Sequence, residues 1–409
     1  MVNRVFDKIE RNTKEQILFL QKLVQTNSSN PFSSDNSNPK EPIEKEVALI
    51  IADKLTEIGL KPEFHGVSAE RPNIITYLRG SHSNAPSLIL NGHMDTIVPP
   101  ASYSIDPYSG LIQGKKLYGV GSLDMKSSLS VYIYATKAIL QSGLDLIGKL
   151  ILTFVVDEEP GACSEFGTRY LVDKDLKATS AIIGEPGCSK IAIGHRGLYR
   201  FKIITLGESV HTGTLDWEEK KKGENAISNM VEVINVLRDL AIPYKQSSSF
   251  PNRRPVFTYP TLIRGGQNIN TVPDRCETYG DVRLLPSNSR TQIKALIVQA
   301  IQDLKDKKGI QCELTDLLFI PSVAISAQER IVRILSKNVK TVMKIDPTIE
   351  GSGPANDAWM FIQRGIPCVC GFGCYGEGIH GRNEWVDLES LINVTKVYAK
   401  TIIDYLGVI

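Results

Sequence analysis

The sequence lacks any apolar run near the roughly 20 residues that span a bilayer, which argues against a membrane-spanning helix. It also lacks a charge excess: 47 Lys and Arg oppose 45 Asp and Glu, a net charge of +2. That balance gives no push toward nucleic acid or anionic membranes, and the one short basic run, Lys220 to Lys222, reads as a solvated loop. The first ten residues have no signal-peptide apolar core, so a cytoplasmic location is expected. Seven cysteines, an odd number in mostly apolar surroundings, do not make a disulfide framework. Cys368, Cys370 and Cys374 lie close together without the paired C-x-x-C spacing of structural zinc sites, and read as small buried apolar residues. There is no internal repeat and no low-complexity tract. No G-x-S-x-G elbow follows a strand, which sets aside a serine hydrolase of the α/β type.

What is present is an ordinary globular composition, 42% hydrophobic and 22% charged, over 409 residues. That length exceeds one usual hydrophobic core and predicts about two domains. Helical spacing predicts helices over residues 12–27 and 44–60, with a polar, proline-containing loop from Ser28 to Glu41 between them. Apolar runs predict strands at 74–78, 88–90, 149–156 and 181–183, alternating with helices that begin at Asp124 and near Gly167. This alternation predicts an α/β fold, a mainly parallel sheet with helices on both faces. From about residue 191 the pattern becomes strand, helix, strand, strand, helix, strand, ending near Leu317. That is the order of a ferredoxin-like α+β sandwich. The α/β pattern then resumes with helices at 329–342, 357–364 and 388–406 and a strand at 367–372. The expected division is a first part of one domain over 1–193, an inserted domain over 194–317, and the remainder over 318–409.

The chemistry gathers where apolar strands end. Leu88, Ile89 and Leu90 lead into His93 and Asp95. Asp124 opens a helix, Glu158 and Glu159 follow the longest strand, Glu185 follows the next, and His380 stands after the last. In open α/β sheets ligands bind at the carboxyl ends of the strands. Each residue alone has a plain reading: Asp124 as a helix N-cap, the glutamates as solvated turns, His380 as a polar loop residue. Together, carboxylates brought to one sheet edge would repel unless cations neutralise them. A pair of divalent ions meets that need. Mixed imidazole and carboxylate ligands suit zinc best, with cobalt or manganese also accommodated. Asp124 is the candidate bridge between two ions.

These segments resemble the M20 metallopeptidase family, in the style of acetylornithine deacetylase and succinyl-diaminopimelate desuccinylase. The matching stretches are Gly92 to Asp95, Gly121 to Lys126, Asp157 to Glu159, Gly184 to Pro186 and His380 to Glu384, in family order over about residues 10 to 409. Ser127 and Ser128 stand where the family usually has glycine. The resemblance implies a zinc-exopeptidase-like catalytic domain carrying an inserted lid and dimerisation domain. It implies that His93, Asp124 and Glu185 bind one ion and Asp124, Glu159 and His380 the other. Asp95 would orient His93, Glu158 would be the general base, and a cis peptide would follow Asp124. His211 would serve catalysis from the inserted domain. Arg283, Asn270 and Gly353 would bind substrate, the guanidinium of Arg283 forking onto a carboxylate.

The activity so implied is amide hydrolysis of an N-acyl amino acid by a homodimer, with two divalent ions. The alternative is a dipeptidase or carboxypeptidase of the same family, acting on a short peptide. A non-catalytic binder of the same fold is disfavoured by the complete set of ligand positions plus Glu158.

Overall fold

Side-chain alternation decides the core around the strands. In the strand Ser87–His93, Leu88 and Leu90 join one apolar cluster and Ile89 joins a second. The strand Lys149–Val155 divides the same way, Leu150, Leu152 and Phe154 against Ile151 and Val155. So does Ser180–Ile183, with Ile182 against Ala181 and Ile183. A strand covered on both faces needs apolar residues at both phases of its two-residue period, and so reads as a continuous apolar run. The helices Val2–Gln25, Ser127–Gln141 and Leu388–Leu406 contribute Leu20, Leu129 and Val397 to the first cluster. The helices Thr168–Asp173 and Ala358–Gln363 contribute Leu171 and Phe361 to the second.

The computed structural model describes residues 1–30, 44–159 and 164–409. Its six-stranded sheet runs in the order Glu63–His65, Asn73–Leu78, Lys149–Val155, Ser87–His93, Ser180–Ile183, Cys368–Val369. The last four are parallel to one another, and the first two add an antiparallel edge. The expected α/β class is the one found, with a sheet that is mixed at that edge. Register then fixes the chemistry. His93 pairs with Val155, and Asn91 with Ile183, so three parallel strands end together. The residues after them, Asp95, Asp157 to Glu159, and Glu185, leave the sheet at one edge.

Several expected boundaries shift. The first helix starts at Val2, not near residue 12, because Val5 and Ile9 extend its buried stripe past the charged residues that obscured it. Beyond Asn30 the expected loop to Glu41 lies outside the described residues. The strand Thr348–Ser352 pairs in parallel with Lys190–His195. The short strands Lys116–Tyr118 and Trp385–Asp387 pair in regions that carry no strand pattern. Cys368, Cys370 and Cys374 are fully buried free thiols, as small apolar residues would be. Among the described residues no helix is long and apolar enough to cross a membrane.

Residues 1–195, 324–352 and 356–409 form one compact unit, and 196–323 with 353–355 form a second. The second unit has a four-stranded antiparallel sheet in the order Val256–Gly265, Arg275–Leu284, Gly197–Leu206, Cys312–Ile320. Helices Ala226–Leu237 and Arg290–Lys308 pack Met230, Val233, Ile293 and Ile297 against Tyr199, Phe201 and Val282. Asn225 and Ser289 cap the two helices through their side chains, and Gly309 ends the second at a φ of 72°. The chain order is the expected β-α-β-β-α-β.

Candidate metal centre

His93 is the last residue of its strand and is almost wholly buried. Its Nδ1 lies 2.9 Å from the backbone carbonyl of Asp95, which makes Nδ1 the protonated nitrogen. Nε2 then faces Asp124, 3.3 Å from Oδ1. The carboxylate of Asp95 is 3.7 Å from the ring and is used elsewhere. Its Oδ1 accepts from the backbone N–H of Glu158, and its Oδ2 from that of Glu159 and from Asn30. Asp95 therefore braces the turn carrying both glutamates, and holds the imidazole chiefly through its own carbonyl.

Asp124 is not the helix N-cap its position suggested. The segment Ser122–Lys126 is a wide turn, Asp124 has φ −114° and ψ 93°, and the regular helix begins at Ser127. A cis peptide joins Asp124 to Met125. Gly121 opens the turn at φ 76°, where a Cβ would also meet Thr96 Cγ2 at 2.4 Å, so glycine is required there. The turn aims the Asp124 carboxylate between two imidazoles, His93 on Oδ1 and His380 Nε2 at 3.4 Å from Oδ2. His380 Nε2 also lies 3.0 Å from Glu159 Oε2.

Ligand atoms of His93, Asp124 and Glu159 all fall within 4.8 Å of one another. Glu185 stands outside that tightest group yet senses it. Burial first, then the charge of Asp124, pushes its carboxyl up to about 8. Burial likewise raises Glu159, while contact with His380 opposes the rise. Burial raises Glu158 well above the usual carboxylate range, opposed by His93 and reinforced by Glu185 and Asp357. Burial would lower His93, but its contacts with Asp124 and the charge of Glu158 hold it well above its ordinary value. Asp124 resists its own burial and is held well below the carboxylate range by the two imidazoles.

Whether these residues suit divalent ions can be read from one atom. Asp124 Oδ1 is buried without a hydrogen bond of acceptable geometry. A buried carboxylate oxygen left in that condition is costly unless a cation completes it. The donors around it, imidazole nitrogens and carboxylate oxygens, are those a zinc-like ion prefers.

Sequence reasoning missed several residues of this centre. Glu384, only 1% exposed, accepts three backbone N–H bonds from the turn at Asp124. Lys126 is fully buried and donates to the carbonyls of Leu23 and Thr26, at the end of the first helix. Burial pushes its ammonium down to about 7. Arg71 bridges Glu44 and Asp157 in a buried ion pair beneath the glutamate turn. Glu384 had a signal, being the last residue of the His380 motif. Lys126 likewise closes the Gly121 stretch, whereas Arg71 had no signal, since its partners are distant in sequence. Asn356 and Asp357 are buried, Asn356 donating to the carbonyl of Cys370 and Asp357 accepting from Thr168.

In the second unit, His211 is exposed and its backbone bridges that of Thr271, while Asn270 Nδ2 lies 3.3 Å from His211 Nε2. Arg283 donates to Asp281 at 2.6 Å. Arg196, two residues before the partner of Arg283 in the sheet, is a further cation at that end. Its guanidinium is shifted down by burial and by the charges of Arg253 and Arg283. A Cβ on Gly353 would come within 3.5 Å of the Arg196 guanidinium.

The family model described as peptidase family M20/M25/M40 matches residues 89–404. The chain belongs to this family of metal-dependent hydrolases. An N-formyl-4-amino-5-aminomethyl-2-methylpyrimidine deformylase of Bacillus subtilis (strain 168) is 26% identical over 97% of this chain and 96% of its own length. A succinyl-diaminopimelate desuccinylase of Pelagibacter ubique (strain HTCC1062) is 23% identical over 89% and 94%. The crystal structure of an M20 family metallo-carboxypeptidase from Sulfolobus solfataricus superposes with a TM-score of 0.78 at 17% identity. It covers 96% of this chain and 99% of that one, a likeness of fold.

Proposed function

We propose that this chain hydrolyses the amide bond of an N-acyl amino acid, using two divalent ions, zinc in the first place. One observation carries the reading: His93 and His380 meet the buried Asp124 carboxylate, one at each oxygen, Glu159 joins them through His380, and Asp124 Oδ1 has no hydrogen bond of acceptable geometry. In the proposed arrangement His93, Asp124 and Glu185 hold one ion, Asp124, Glu159 and His380 hold the other, and Asp124 is shared. The ions, when bound, supply Lewis acidity and make water easier to deprotonate.

The chain's own residues do the rest. Glu158 takes the proton of the attacking water and delivers it to the leaving nitrogen. A carboxyl raised by burial can keep that proton between the two events. Asp95 keeps Glu158 and Glu159 in place through their backbone N–H groups. In the second unit we assign His211, with Asn270 beside it, to stabilise the developing oxyanion. Arg283 and the backbone at Gly353 are assigned to the substrate carboxylate, and Arg196 adds a cation at the same end of the sheet. A homodimer formed through this unit belongs to the same reading.

The two sequence relatives reported above are named for removal of an acyl group, which favours a deacylase over a peptidase. The test is hydrolysis of N-acetyl-ornithine, N-succinyl-diaminopimelate and a dipeptide panel, with zinc, manganese or cobalt added. Turnover of an acylated amino acid that depends on added metal is expected. Turnover of dipeptides alone would replace the deacylase with a peptidase or carboxypeptidase. A protein that binds two ions per chain and cleaves none of these compounds would remove the substrate assignment.

A further inference from the structure

Glu384 makes more contacts to the metal centre than its place at the end of a motif suggests. Its Oε1 accepts from the backbone N–H of Leu123 at 2.8 Å and of Asp124 at 2.9 Å, and its Oε2 from that of Gly121 at 3.0 Å. Its own carbonyl accepts from Gly119 at 2.9 Å. The turn at Asp124 is thus wound around one carboxylate. The backbone at Asp124 and Met125 is not helical, and the N–H groups of Gly121, Leu123 and Asp124 end on Glu384.

The same residue is tied to His380. Four positions separate them, in a loop where His380 and Asn383 both have φ of 53°. Asn383 accepts from the backbone N–H of Ser104 at 2.9 Å, and the N–H of Glu384 donates to the Tyr103 hydroxyl at 3.2 Å. Gly378 lets the loop close, since a Cβ there would stand 2.9 Å from Glu384 Cα. Asp124 and His380, far apart in sequence, therefore share one buried anchor. Their side chains meet at 3.4 Å.

We propose that Glu384 is a positioning residue that sets the spacing between Asp124 and His380, and through it the affinity for the ion those two residues hold with Glu159. This rests on the two-ion reading above. A carboxylate can accept from all three N–H groups at once, because each of its oxygens carries two lone pairs. An amide cannot. In Glu384→Gln, if the amide oxygen keeps Leu123 and Asp124, the amide nitrogen points a donor at the N–H of Gly121. The turn must then open, and Asp124 moves relative to His380. Residues that orient metal ligands from behind are commonly worth about 10–100-fold in metal affinity.

The experiment is a stepwise cobalt titration of the ion-free full chain, followed by visible absorbance and calorimetry, for the wild type, Glu384→Gln and Glu384→Asp. The wild type should bind two ions per chain. Glu384→Gln should still bind two, with one step weakened about 10–100-fold and the cobalt bands of that step shifted. Glu384→Asp keeps the charge but is shorter, and should fall between; it also carries the test if the Gln variant does not fold. A variant with a lower melting temperature but two unchanged binding steps and unchanged bands would reduce Glu384 to a structural role and overturn the proposal. A wild type that binds no divalent ion would instead overturn the two-ion reading itself.

Discussion

Asp95 Oδ1 accepts the backbone N–H of Glu158 at 3.2 Å, while Oδ2 holds that of Glu159 at 3.1 Å. One buried carboxylate thus sets the turn on which both a base and a ligand are proposed. Asp95→Asn replaces one acceptor with a donor facing an N–H. The expected result is a loss of metal affinity and turnover of about 10–100-fold, with the fold kept. Metal titration and steady-state kinetics check it, and wild-type values in both would detach Asp95 from the centre.

Glu158 is expected to move protons and not to hold an ion. Glu158→Gln should bind two ions per chain and lose roughly 10²–10⁴ in turnover. Metal analysis beside single-turnover rates separates the two roles. Metal lost together with activity would make Glu158 a ligand.

His380 gives the pH dependence its sign. Its contacts with Asp124 and Glu159 hold the imidazole at about 11 in the ion-free protein, against an ordinary 6.5. A pKa raised on folding adds stability that is complete below about 6.5 and is lost as the pH climbs through about 11. An ion needs the unprotonated ring, so binding must expel that proton, and affinity should fall as the pH is lowered. Calorimetry in two buffers of different ionisation enthalpy should report about one proton released per His380-bound ion near neutral pH. Affinity independent of pH over about 6 to 8 would contradict this.

The two-sided sheet predicts where stability is concentrated. Leu152 is 1% exposed between the parallel strands and the helices over them. Leu152→Ala should cost about 2–5 kcal/mol, the transfer term plus a cavity. Leu317, 49% exposed in the second unit, should cost less than about 0.5 kcal/mol on the same change. Denaturant unfolding of both variants decides it.

The sheet was legible because its strands are buried on both faces and so spell unbroken apolar runs. The β-α-β-β-α-β unit was legible from the switch between periods of two and 3.6. The antiparallel edge was not, since an apolar strand carries no mark of its direction, and Asn73–Leu78 looks like its parallel neighbours. The ends of the strands revealed the acidic and imidazole clusters, but not how each is held. Asp124 has the residue type of an N-cap, so propensity pointed to a helix start. The turn it occupies depends on Glu384, from the other end of the chain. Arg71 and Arg196 stayed hidden for the same reason: a lone cation in a sequence looks solvated until its distant partners are known.

Lys126 gives the first helix a task that none of that helix's own side chains announces. Its ammonium is clasped by the carbonyls of Leu23 and Thr26, where the backbone dipoles of Val2–Gln25 leave negative charge. Two positions earlier in the chain stands Asp124. A helix without a single proposed ligand thereby serves as the rear abutment of the carboxylate cluster, and cutting the chain behind Thr26 would strand a buried cation and loosen the centre from its far side.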